Sequence, residues 1–146
     1  MVIDYSRVLE WYRAGGNIIQ MLTEQYSDEL SKSEMIKIAY DLQAGEYVKK
    51  ALANPEDERG RAEAFAKVIN GLDGIDSMLD AGVGEATSLT AIMKHLNDTP
   101  KTVSGFDISL SRLAFARKFT NEHLPFIPEF AVGNMHNAPL LDESCD

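Results

Sequence analysis

The run Met78-Leu79-Asp80-Ala81-Gly82-Val83-Gly84-Glu85-Ala86 sets two glycines directly after a short apolar stretch and before a helical one. Glycine at such a turn lets the backbone bend tightly and approach a ligand with no Cβ in the way. The helix that follows presents N–H groups without intrahelical partners in its first turn, which favours polar or anionic ligand groups. About 20 residues beyond the glycines, Ser104-Gly105-Phe106-Asp107 closes a second apolar stretch with an acid, placed where a carboxylate can accept both hydroxyls of a ribose. Together these residues point to a nucleoside-bearing cofactor. Each has a plainer reading alone: the glycines serve a tight strand-to-helix turn, and Asp107 caps the next helix, a role that Ser109 or Ser111 can fill instead.

A site of this kind needs parallel strands to hold it, and from Ile75 onward the sequence alternates short apolar runs with helical ones, the pattern of βαβ units. Strands are predicted over Ser77–Ala81, Thr102–Asp107 and Glu129–Asn134, with helices over about Thr87–Leu96 and Leu110–Thr120 between them. Pro125 and Pro128 punctuate the last connection. Upstream, apolar residues recur at helical spacing and no β-branched runs appear. Val8, Trp11 and Tyr12 share a face, and Ile18, Ile19 and Leu22 continue it after a break at Gly15-Gly16. A second helix is predicted from Ser31 or Ser33 through Leu52, ending at Asn54-Pro55, and a third from Glu56 to Leu72. The expected division is a helical cap or substrate-facing region over 1–74 and a cofactor-binding region over 75–146.

The segment Leu79-Asp80-Ala81-Gly82-Val83-Gly84 resembles the first motif of the class I S-adenosylmethionine-dependent methyltransferases. The stretch from Gly133-Asn134-Met135 to Leu140-Leu141-Asp142 is similar to that family's acid or amide after strand three, followed by an apolar stretch and an acidic turn. The resemblance covers Ser77 to Asp146. It implies an α/β fold in which a helical N-terminal region precedes the first half of a Rossmann-like parallel sheet, in the order 3-2-1. It further implies S-adenosylmethionine as cofactor, with Asp80 facing its methionine end, Ala81 among the cofactor-binding residues, and Gly82 and Gly84 letting the backbone pass close. Asp107 would hold the ribose, Ile108 would lie against the adenine, and Asn134 and Met135 would meet the adenine edge. Two positions depart from the common pattern: Ala86 stands where many members have glycine, and Asn134 where many have aspartate. Asn can still accept a hydrogen bond from the adenine amine.

Methyl transfer asks little covalent chemistry of a protein, because the sulfonium already activates the methyl group, so no universal catalytic triad is expected and the sequence names no catalytic base. His136 reads as a loop residue, and His95 and His123 as helix-end residues near terminal carbonyls. The segment from Ala39 to Tyr47, with Tyr40 and Asp41, resembles the aromatic stretch that covers the cofactor in many methyltransferases; it reads equally as a helix packing two tyrosines.

The 146-residue chain, 45% hydrophobic and 25% charged, is long enough to bury a sizeable core, which excludes disordered and fibrous classes. Asp and Glu number 23 against 14 Lys and Arg, a formal net charge of -9 that disfavours nucleic acid as a partner. A small-molecule acceptor is expected, with neither membrane nor nucleic-acid partner. No signal-like start or membrane-length apolar run is present, and the lone Cys145 fits a reducing cytoplasm.

The family sheet has seven strands, and the sequence stops at the threshold of strand four. The expectation is therefore a fragment of a longer enzyme, with little activity alone and an unpaired strand edge open to homodimerisation. Two other readings stay open. A nicotinamide-dependent oxidoreductase shares the glycine turn and acid, but Thr87 replaces its third glycine. A non-catalytic interaction module built on a decayed methyltransferase fold is the other.

Overall fold

The computed structural model describes residues 2–142, 144 and 145. Two compact units divide at Gln43 and Ala44. The first holds three helices, each started by a polar cap. Asp4 accepts from the Arg7 N–H ahead of α1 (Tyr5–Arg13), Asn17 accepts from the Gln20 N–H ahead of α2 (Ile18–Tyr26), and Ser31 and Glu34 form a capping box on α3 (Lys32–Leu42). Their apolar faces meet in a core of Val8, Ile18, Met21, Leu22, Leu30, Met35 and Ala39.

The second unit begins with α4 (Glu46–Ala53), a 3₁₀ turn (Pro55–Asp57) and α5 (Arg59–Ile69). Then β1 (Ser77–Ala81), α6 (Thr87–Met93), β2 (Thr102–Asp107), α7 (Leu110–His123) and β3 (Glu129–Val132) follow. The three strands run parallel in the order β1-β2-β3, the expected half-sheet of an α/β fold read from its other edge. Asp80 lies opposite Gly105, and Asp107 opposite Val132. Among the described residues no strand pairs with the outer edge of β1.

Parallel strands joined by helices need a covered face, and α6 and α7 cover this one. Val83, Leu89, Met93, Val103, Leu113, Ala116 and Phe130 form the core between them and the sheet. Truncating a core leucine such as Leu89 or Leu113 to alanine typically costs about 2–5 kcal/mol. The strand limits of β1 and β2 fall where the apolar runs place them.

Elsewhere the boundaries move. The single helix expected from Ser31 through Leu52 is two, α3 and α4, broken where Gly45 adopts φ +96°. β3 ends at Val132 because the chain then turns: the Gly133 N–H donates to the Asp107 carbonyl, and Asn134 bridges to Asn137. The compact units divide at 43/44, while the change from helical to alternating sequence falls near residue 74, so α4 and α5 lie with the sheet. Among the described residues no helix is long and apolar enough to cross a membrane.

Candidate functional site

β1 leaves its last residue, Ala81, into a turn that β2 holds in place. The Gly82 and Val83 N–H groups both donate to the Phe106 carbonyl, at 2.8 and 3.0 Å. The backbone then passes through the left-handed region three times, at Gly82 (φ +82°), Gly84 (φ +57°) and Ala86 (φ +57°). Such angles suit glycine and cost another residue roughly 1–2 kcal/mol. Ala86 bears that strain with its methyl fully buried in the core beside Val83 and Leu89, which offsets part of it. This backbone angle is the physical reason glycine suits the position.

Asp107, at the end of β2, is buried, and its carboxylate is central to the turn. One oxygen accepts from the Gly84 N–H at 3.0 Å and the other from the Ser109 N–H at 2.8 Å. Ser109, fully buried, caps α7 by accepting from the Arg112 N–H at 3.1 Å. Asp107 is thereby released from the capping role and fixed instead against the glycine turn. A carboxylate has about four lone-pair positions, so each oxygen keeps one for a further donor.

Asp80 is half-buried at the end of β1. Burial first, and the neighbouring Asp107 carboxylate second, raise its pKa above the ordinary carboxylate value. A cation placed there relieves both effects, which gives this corner of the site a preference for positive groups. A groove of about 420 Å³ lies along the same strand, lined by Met78, Asp80, Ser88 and Ile92 and, from α5, by Phe65 and Ile69.

The glycine backbone faces open space. A Cβ built on Gly82 would find only the Met135 sulfur, at 4.0 Å, and one on Gly84 only the Arg112 Nη1, at 4.0 Å. The strand ends therefore bring together Asp80, Ala81, Gly82, Gly84, Asp107 and Met135, at the carboxyl ends of the parallel strands where ligands of open α/β sheets bind. Ile108 is half-buried between Asp107 and Ser109. Asn134, also half-buried, accepts from the His136 N–H through Oδ1 at 3.0 Å. His136 itself is exposed, and the His123 Nδ1 meets the Phe119 carbonyl at 2.8 Å, an ordinary helix-end contact.

Two buried charged residues at the turn, Glu85 and Arg112, carry no signal in the sequence pattern. Glu85 is 2% exposed, and its carboxylate accepts from the Gly45 N–H at 2.9 Å and the Val48 N–H at 2.8 Å. Arg112 is buried beside the turn with its guanidinium 5.2 Å from the centre of the Tyr47 ring. Glu85 has its partners 40 and 37 positions upstream, and no local pattern announces such a pairing. Among the described residues no group of three or more His, Cys, Asp and Glu side chains is placed to hold a metal ion.

Residues 79–146 match a family model described as a methyltransferase domain. No curated protein matches the chain in sequence. Among solved structures, the [4+2]-cyclase SpnF is 20% identical with a TM-score of 0.58, covering 78% of this chain and 47% of its own. A complex between the Haloferax volcanii Trm112 methyltransferase activator and a methyltransferase gives 21% identity and a TM-score of 0.53, over 73% of this chain and 44% of that one. CalS10, a SAM-bound amino pentose methyltransferase from Micromonospora echinaspora, is 22% identical over 64% of this chain and 36% of its own, with a TM-score of 0.46. At these identities the likeness to SpnF and the Haloferax complex establishes the fold. The chain spans less than half the length of each of these structures.

Proposed function

We propose that this chain, whose residues 79–146 match the methyltransferase-domain family model, is the S-adenosylmethionine-binding portion of a longer class I methyltransferase. The observation that carries the reading is the junction of Gly84 with Asp107: an open glycine backbone is fixed to a buried carboxylate that keeps acceptor capacity for a ribose. The donor set fits the cofactor at each end. Asp80 offers a poorly solvated carboxylate to a cationic methionine end, the bare edges of Gly82 and Gly84 admit a ligand closely, and the family resemblance assigns the adenine edge to Asn134 and Met135.

When bound, the cofactor supplies a methyl group made electrophilic by its sulfonium. The chain's own residues then bind and orient. Asp107 and the glycine turn hold the nucleoside, Ile108 lies beside the base, and Asp80 draws the positive end towards β1. The reading asks for no protein base, since positioning and exclusion of water supply most of what methyl transfer needs.

The acceptor we propose is a small molecule, in line with the acidic net charge of -9. The outer edge of β1, unpaired among the described residues, is open to another strand, from a further part of the enzyme or from a second copy. The 146 residues alone are expected to transfer methyl groups weakly or not at all, and the lone cysteine suits a reducing cytoplasm. One observation favours a second reading. SpnF, which shares the fold, is a [4+2]-cyclase, so the fold does not fix the activity, and a non-catalytic module that binds a partner instead of the cofactor is the second reading.

Equilibrium titration with S-adenosylhomocysteine and, separately, NADH tests the proposal. Saturable binding of S-adenosylhomocysteine with none of NADH is the expected result. Preference for NADH would assign the site to an oxidoreductase, and binding of neither by the folded chain would leave the interaction-module reading in its place.

A further inference from the structure

α4 has an unusual means of support. None of its residues is buried, and Tyr47 and Leu52 are exposed. An eight-residue helix with so little apolar cover is marginal in water. Its N-cap is Gly45, which has no side chain to satisfy the first N–H groups. That task falls to Glu85, from inside the glycine turn. Its buried carboxylate accepts from Gly45 and Val48 together, and a carboxylate at a helix N-terminus is also favoured by the helix dipole.

A second tie runs alongside. The Arg112 guanidinium lies over the Tyr47 ring at 5.2 Å, and its Nη1 lies 4.0 Å from the position a Cβ on Gly84 would occupy. Gly45 is closed in as well, since a Cβ there would come within 2.8 Å of the Phe115 ring at the φ of +96° the residue adopts. Both of these ties end on Gly84–Glu85 or on the arginine beside them.

We propose that Glu85 is a positioning residue that couples the glycine turn to α4, so that the order of α4 and the ligand-binding geometry of the turn rise and fall together. Ligand at the turn holds Gly84 and Glu85 in place and so holds α4. Release of α4 leaves the Glu85 charge without its two donors inside the protein, which is costly, and the turn must rearrange to hydrate it. By linkage the two effects are equal in size. The inference about the ligand rests on the cofactor reading above; the tether itself does not.

Amide hydrogen exchange on the full chain tests it, for wild type, Glu85→Ala and the isosteric Glu85→Gln. In Glu85→Ala, exchange over residues 45–50 should quicken at least about tenfold, while β2 and α7 amides keep their protection. Glu85→Gln should do the same to a smaller degree. S-adenosylhomocysteine should slow exchange over the same residues in wild type, and bind both variants several-fold more weakly. Unchanged exchange over 45–50 in a folded Glu85→Ala chain overturns the tether, as does global loss of protection in both variants, which would make Glu85 a general core group. Should wild type bind no S-adenosylhomocysteine, the cofactor reading fails while the apo exchange still decides the tether. Should it bind without slowing exchange over 45–50, the coupling is overturned and the cofactor reading stands.

Discussion

The two walls of the candidate site are built in different ways. On the β1–β2 side, Asp107 and Ser109 are buried, and hydrogen bonds of 2.8 to 3.1 Å tie the turn, the strand end and the start of α7 to one another. Beyond β3, Met135 is 70% and Leu141 84% exposed, and Asn134 makes local hydrogen bonds, its Oδ1 accepting from the His136 N–H and its carbonyl from the Asn137 N–H. The first wall is preorganised and the second is laid over it. Substitutions in the first should therefore disturb folding and binding together, and those in the second binding alone.

The largest effect is expected at Asp107. Asp107→Ala strips the Gly84 and Ser109 N–H groups of their acceptor, at a cost of about 2–4 kcal/mol in urea unfolding, and should weaken S-adenosylhomocysteine at least about a hundredfold. A variant as stable as wild type would show that the carboxylate does not organise the turn.

Gly84→Val comes next. A β-branched residue at φ +57° should lose roughly 1–3 kcal/mol of stability, and its side chain would crowd the Arg112 Nη1, which already lies 4.0 Å from the Cβ position. Binding should fall by ten- to a hundredfold. Ala86→Gly sharpens the same point with the opposite expectation: relief of the left-handed strain and loss of a buried methyl should nearly cancel, leaving stability within about 1 kcal/mol.

At Asp80 the effect should depend on pH. Its folded pKa is raised, by burial first and by Asp107 second, so the folded chain holds that proton more tightly than the unfolded one. The ionised carboxylate therefore costs stability above the raised pKa, and the cost is relieved as pH falls from there to the ordinary carboxylate range. Asp80→Asn should be slightly more stable than wild type at neutral pH and should lose this pH dependence. Affinity for cationic S-adenosylmethionine should fall in wild type as pH drops through the raised pKa, and stay flat in the variant. The smallest effect is expected on the outer wall, where Asn134→Ala should weaken binding only a few-fold with stability unchanged within about 0.5 kcal/mol. A loss at Asn134 as large as that at Asp107 would break the contrast between the walls.

How much of this is legible in the sequence follows the same division. β1 and β2 are readable to the residue, because short apolar runs bounded by turn residues determine parallel strands, whereas the cap of α7 stays open in sequence among Asp107, Ser109 and Ser111 until the fold assigns it to Ser109. The break at Gly45 is not readable, since a lone glycine inside a helical pattern is often tolerated; here the Phe115 ring, 70 positions away in sequence, closes on it. Glu85 reads as a polar residue in a turn, and only the folded chain shows its partners. The left-handed backbone at Ala86 is equally hidden, because alanine otherwise reads as a good helix start. The roles of Asn134 and Met135 rest on the family resemblance, since an exposed surface segment carries no periodicity to place it.

Calorimetric titration of S-adenosylhomocysteine into wild type and the isosteric Asp107→Asn variant, with both shown to be folded, tests the central claim most directly. Removing the charge while keeping the shape should weaken the binding seen in wild type by at least about thirtyfold. Equal affinity in the two chains, or no binding by folded wild type, would contradict it.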